Sequence, residues 1–210
     1  MADINQNPEF DFNMLSLNVR GIRNNNKREA VYRWIKRQKA DIIFLQETYS
    51  NHTDEIIWER EWGGKVIFVH GSKHSCGLMV LFDKALDFKL QEIYKDPKGR
   101  YILTKALIQE TPFYLLNIYA PNKIGEQISF FEEIKDLLLE QRITKDDYLL
   151  MGGDFNVTLD PTIDKSGGSK VPKSKSLDTI CNIKEQLNLQ DIWRIHIPIS
   201  DVTHGDKKHQ

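Results

Sequence analysis

Four apolar runs in this chain each stop at a polar residue, and that repeated ending constrains the fold more than any bulk property. The runs are MLSLNVRGI (14–22), ADIIFLQETY (40–49), FYLLNIYAPN (113–122) and YLLMGGDFNV (148–157). Their polar endings supply Asn18, Glu47, Tyr119, Asp154 and Asn156. In the first run Leu15, Leu17 and Val19 alternate with Ser16, Asn18 and Arg20, the period of a half-buried strand. The others are short and continuously apolar, as suits strands covered on both faces. A buried strand that ends in Asn, Glu or Asp delivers an oxygen donor to the rim of its sheet. Several such strands aimed at one rim can hold a hard cation and a phosphate.

The remaining pattern fills in an α/β or α+β domain. Charges separate Val31, Trp34, Ile35 and Gln38, which predicts a helix over 28–38. Val66–Val69 and Leu78–Phe82 read as neighbouring strands. Asp96-Pro97-Lys98-Gly99 is a turn signal, so Leu86–Ile93 and Tyr101–Ile108 predict a hairpin. Ile128, Phe131, Ile134 and Leu138 have helical spacing, as do Leu177, Ile180, Ile183 and Leu187 in 176–189, ahead of a last apolar run at 192–195. Residues 1–12 read as a disordered lead-in and 13–210 as one domain.

A chain of 210 residues is long enough for one substantial core. Its 40% hydrophobic and 28% charged content is that of a globular protein, and no stretch approaches transmembrane length. The net charge of −1 gives no overall basic field for nucleic acid. The one local basic cluster is Lys165, Lys170, Lys173 and Lys175, which fits a solvated loop as well as a phosphate contact. Cys76 and Cys181 cannot form a disulfide framework or a zinc-type spacing, and are expected as small core residues in a reducing, intracellular compartment.

LNVRGI, LQETY, NIYAPN and GGDFNVTLDPTIDKSGG, in this order, resemble the endonuclease/exonuclease/phosphatase (DNase I-like) superfamily. The flanking residues are most similar to the endonuclease domain of LINE-type, non-LTR retrotransposons. Each motif alone is weak, but four in sequence are specific. The resemblance implies a four-layer α/β/β/α sandwich, two packed sheets with helices outside. It also implies Mg²⁺ (or Mn²⁺) as cofactor, DNA as partner and hydrolysis of a phosphodiester bond, with nuclear location for a functional enzyme. It assigns Asn18, Glu47, Asp154 and Asn156 to the metal site, and Tyr119, Asp154 and Asn156 to catalysis. Asp154 would orient or deprotonate the attacking water, while Asn156 and Tyr119 would contact the phosphate. Asp154 and Asn156 lie two apart, so in an extended segment they share a face, and Gly152 and Gly153 would leave room for a phosphate.

The resemblance runs out near the end of the chain. The family places a Ser-Asp-His string after an apolar strand. Ser200-Asp201-x-x-His204 has neither that spacing nor that strand. The orienting Asp and catalytic His therefore have no counterpart, and the domain is expected to lack its last strands. His52, His70, His74, His196 and His209 are read as ordinary surface or core histidines. Two other readings stay open: a phosphatase or phospholipase of the same fold, and a catalytically dead retroelement remnant. No obligate protein partner and no membrane association are expected.

Overall fold

The computed structural model describes residues 10–71, 76–157, 175–192 and 195. Its described residues build eight strands and four helices. In chain order these are β1 (Met14–Asn18), α1 (Asn25–Arg37), β2 (Ile42–Gln46), α2 (Glu55–Trp62), β3 (Lys65–Val69) and β4 (Leu78–Phe82). There follow β5 (Phe88–Lys95), β6 (Tyr101–Ile108), β7 (Thr111–Tyr119), α3 (Ile124–Glu140), β8 (Tyr148–Asp154) and α4 (Lys175–Gln186). They fall into two compact units, Met1–Ala120 with Asp147–Phe155, and Pro121–Asp146 with Asn156–Gln210.

The first unit holds both sheets, ordered β1-β2-β4-β3 and β5-β6-β7-β8. β1 runs parallel to β2 and β7 parallel to β8, while the other neighbours are antiparallel. The sheets face one another across a shared core. Ile42, Phe44, Ile67, Val69, Leu78, Val80 and Phe82 from the first sheet belong to one buried cluster with Ile102, Ala106, Ile108, Phe113 and Leu115 from the second. Alternate residues of the first sheet point the other way. Ile43, Leu45, Val66, Phe68, Met79 and Leu81 pack with Tyr32 and Ile35 of α1 and Trp58 and Trp62 of α2. β2 and β4 are thus covered on both faces, which is why IIFLQ and LMVLF read as unbroken apolar runs rather than alternating ones.

The turn at 96–99 joins β5 to β6 as its sequence predicts. Asp96, buried, accepts from the backbone N–H groups of Lys98 and Arg100 and pairs with the Arg100 guanidinium at 2.9 Å. α1 starts at Asn24, whose side chain accepts from Lys27 N at 3.0 Å. Helix α2 is an element that the sequence reading lacks. Its apolar residues Ile56 and Ile57 are exposed, and only Trp58 and Trp62, one turn apart, mark its buried face. Arg28 of α1 is buried beneath Trp58 and forms a bidentate pair with Glu61 of α2, at 2.5 and 2.8 Å.

Two expectations need correction. Phe10 and Phe12, assigned to the lead-in, pack edge-on against Phe113 at centroid distances of 4.9 and 5.4 Å, so ordered packing begins before Asn13. Of the two cysteines expected in the core, Cys181 is exposed on α4, whereas Cys76 is half-buried and packs against the inter-sheet core. In the second unit, α3 and α4 meet through polar contacts at Ser176–Gln127 (3.3 Å) and Thr179–Glu132 (2.9 Å). Among the described residues no helix is long and apolar enough to cross a membrane.

Candidate active site at the strand ends

Asn18 is the last residue of β1 and sits opposite Gln46 in the parallel register, one residue before Glu47. In the second sheet the parallel register sets Tyr119 opposite Asp154. Each sheet therefore carries two site residues at the C-terminal ends of adjacent parallel strands. The Asn18 amide joins the two pairs. Its Nδ2 donates to Glu47 Oε1 at 2.9 Å and to Asp154 Oδ2 at 2.8 Å. Its Oδ1 accepts from the Arg20 backbone N–H at 3.1 Å, which fixes which way the amide faces. Tyr49 donates its hydroxyl to the other carboxylate oxygen, Glu47 Oε2, at 2.8 Å, and the Tyr119 hydroxyl lies close enough to Glu47 to act on its charge.

The backbone around Glu47 is bent to achieve this. Arg20, Glu47 and Tyr49 all hold left-handed conformations, with φ of 47°, 53° and 56°. Such residues cost about 1–3 kcal/mol each and persist only where surrounding contacts hold them. Here the contacts are cross-strand bonds from Val19 N to Gln46 O, Gly21 N to Glu47 O and Ile22 N to Thr48 O, together with Thr48 N to Gly77 O. Gly21 is required: at φ 78° a Cβ would lie 2.5 Å from the Tyr49 ring. Lys27 adds a brace by donating to the carbonyls of Val19 and Arg20, both at 2.8 Å.

Behind the rim lies a buried polar clamp. Gln46 Nε2 donates to Asn117 Oδ1 at 2.9 Å and to Ser16 Oγ at 3.2 Å. Asn117 Nδ2 donates to the carbonyls of Leu45 and Met79, at 3.2 and 3.0 Å. Ser16, Gln46 and Asn117 stand two, one and two residues before Asn18, Glu47 and Tyr119. The clamp thereby ties β1, β2, β4 and β7 together just beneath the site.

Burial works against the charge of Glu47. The hydrogen bonds from Asn18 and Tyr49, with the neighbouring Tyr119 hydroxyl and the nearby Arg20 charge, outweigh it and hold the carboxyl below the usual range. Burial and the neighbouring Glu47 carboxylate push the Tyr119 phenol well above its ordinary value, so it stays a neutral O–H donor at physiological pH. Among the described residues, the hydrogen-bonded groups of this rim offer a cation two carboxylates, which suit a hard ion such as Mg²⁺ or Mn²⁺.

Asn18, Glu47, Tyr119 and Asp154 are thus brought together, and sequence reasoning missed Tyr49, Arg20, Gln46 and Asn117. Tyr49 had a visible signal, two residues beyond Glu47 in LQETY. Asn156 belongs to the second unit and is exposed. Its φ is 49°, so the extended geometry that would give it the same face as Asp154 does not hold. Its carbonyl accepts from the buried Gln127 side chain at 2.8 Å. The two glycines make room for the protein itself. A Cβ on Gly153, at φ 134°, would come within 2.0 Å of Ile118 O, and one on Gly152 would press on the Phe44 ring. Lys165, Lys170, Lys173, His74, His196, Ser200, Asp201, His204 and His209 lie outside the described residues.

The endonuclease/exonuclease/phosphatase family matches residues 12–169, a span that contains every residue of this rim. The chain belongs to that family. A transposon TX1 uncharacterized 149 kDa protein from Xenopus laevis is 30% identical over 183 residues, 87% of this chain. This agrees with the retroelement-like flanks of the four motifs, although the chain spans only about 14% of that relative's length. Among solved structures, an AP endonuclease from Leishmania major has a TM-score of 0.71 at 17% identity, covering 90% of this chain and 72% of its own. An AP endonuclease from Archaeoglobus fulgidus has a TM-score of 0.65 at 24% identity, covering 87% and 72%. These likenesses show the DNase I-like fold with its two sheets.

Proposed function

We propose that this family member is a Mg²⁺-dependent phosphodiesterase acting on DNA, of the type carried by retroelements. The observation that carries the proposal is the Asn18 amide holding Glu47 and Asp154, from two different sheets, at 2.9 and 2.8 Å. Two carboxylates that close together repel each other and serve a soluble protein best when they share a task. Glu47 is the main ligand for the ion. Asn18 positions the carboxylates, because its amide nitrogen donates to both while its Oδ1 faces the Arg20 backbone N–H. Bound Mg²⁺ supplies charge neutralisation at a phosphate and a site for water. Asp154 then orients the attacking water and accepts its proton. The neutral Tyr119 hydroxyl donates to a phosphate oxygen. The transposon relative and the AP endonuclease neighbours support DNA as the substrate over a lipid or small ester.

The 210-residue polypeptide carries no Ser-Asp-His string after an apolar strand. A general acid–base group is worth about two to four orders of magnitude, so this polypeptide is expected to nick DNA slowly. Supercoiled plasmid nicking with Mg²⁺ tests the proposal, with Glu47→Gln and Asp154→Ala alongside. The expected result is slow nicking that needs the ion and disappears in both variants. Nicking that persists unchanged in both would overturn the assignment.

A further inference from the structure

A second cluster of ligating side chains lies outside the rim, on the loop that follows Glu47 and at the end of β3. His70 directly follows β3. Its Nε2 is 2.7 Å from Glu55 Oε1, and the same oxygen is 3.6 Å from His52 Nδ1. One ligand atom from each of the three residues lies within 4.8 Å of the others. The two imidazole rings meet edge-on at a centroid distance of 4.3 Å. Ligands of a tetrahedral zinc stand about 3.3 Å apart, given metal bonds near 2.0–2.1 Å, so these separations bracket what an ion would require.

The surroundings are built as a ligand shell needs them. The far nitrogen of His70, Nδ1, is 3.0 Å from Ser50 Oγ, and the buried Ser50 is in turn 3.2 Å from Thr48 Oγ1. A metal-bound histidine characteristically engages its other ring nitrogen in this way, which fixes the ring orientation. The loop bearing His52 is also ordered from within. Asn51 N donates to Asp54 Oδ2 at 2.8 Å, and Thr53 donates to Asn51 Oδ1 through both its backbone N–H and its hydroxyl. His70 is nearly buried at 12% side-chain exposure and Glu55 is at 41%, whereas His52 at 89% is free to swing onto an ion.

We propose that His52, Glu55 and His70 form a second metal site, selective for Zn²⁺ or a similar nitrogen-preferring ion. Two imidazoles and one carboxylate favour such an ion over Mg²⁺, which prefers oxygen. Three protein donors leave one position for water. Bound zinc would link the end of β3 to the 50–55 segment and the start of α2, and brace the loop that leaves the catalytic rim. This site is independent of the phosphodiesterase reading, because it shares no ligand with Glu47 or Asp154.

The test is Zn²⁺ titration by competition with a chromophoric chelator, paired with thermal melting with and without zinc. The proteins are the wild type, His52→Ala and Glu47→Gln. His52 is almost fully exposed, so its removal leaves the fold intact. The expected result is that zinc raises the wild-type melting temperature, as a ligand of the native state must. Affinity should fall at least about tenfold in His52→Ala, the size usual for disturbed metal shells, and stay unchanged in Glu47→Gln. Zinc affinity and melting response alike in wild type and His52→Ala, a loss smaller than tenfold, or loss in Glu47→Gln instead, would each overturn the proposal. Glu55→Gln provides a second variant with the same expected loss.

Discussion

The centre of the first sheet and the rim at its C-terminal end are built from the same strands under opposite rules. In β2 and β4 every residue is buried and the ladder runs without a break from Ile42–Phe82 to Gln46–Leu78. One residue past β2, Glu47 turns left-handed, and its carboxylate is held by side chains from β1 and from its own loop. The centre gains stability from regular packing of apolar residues. The rim spends some of it to bring two carboxylates together. Their division of labour implies that core variants should act on folding, and rim variants on ion binding and catalysis.

Phe44 gives the largest expected effect. It is fully buried between the sheets, with Gly152 packed against its ring. Phe44→Ala should cost about 3–5 kcal/mol, read as a lower midpoint in urea denaturation. A loss below about 1 kcal/mol would mean that the inter-sheet core is looser than described.

Asn117 sits where the two regions meet, and comes next. Asn117→Ala leaves Gln46 Nε2 and the carbonyls of Leu45 and Met79 without this partner. Gln46 Nε2 keeps its bond to Ser16 Oγ, so the expected loss is that of about one unpaired buried polar group, about 1–3 kcal/mol. Because Gln46 precedes Glu47, the variant should also weaken ion binding. Stability loss with unchanged ion affinity would separate the clamp from the site.

Acid should produce a smaller, graded effect. The hydrogen bond from Arg28 holds the Glu61 carboxyl below the usual range, against the opposing effect of burial, and the contacts described above do so for Glu47. A carboxyl depressed in the folded state stabilises fully above its unfolded value, about 4.3 for glutamate. That stability is lost as pH falls through the folded value. Unfolding free energy should therefore decline below about pH 5, and less steeply in Glu61→Gln. Identical profiles would assign the acid sensitivity to other groups.

Sequence alone revealed the rim because polar residues ending apolar runs are a local pattern. It revealed the two-sheet fold because four weak motifs in order carry a specific likeness. What it missed depends on contacts distant in sequence. Gly152 and Gly153 invite the thought of a bound phosphate, yet their neighbours are Phe44 and Ile118. Cys181 sits in an apolar-periodic segment, but the exposed face of α4 takes it. The pairing of Gln46 with Asn117 spans 71 residues. The left-handed turn at Asn156 likewise cannot be seen in a period-two pattern. Helix α2 has no clear sequence signal because its apolar residues sit on both its exposed and its buried faces.

The central claim is that Glu47 and Asp154 form one divalent-ion site at the meeting of two sheets. Titration of Mn²⁺ followed by electron paramagnetic resonance, on wild type and Glu47→Gln, tests it most directly. The account predicts one weak site in the wild type, with affinity reduced at least about tenfold in the variant and the fold unchanged. Equal Mn²⁺ affinity in the two proteins would contradict it.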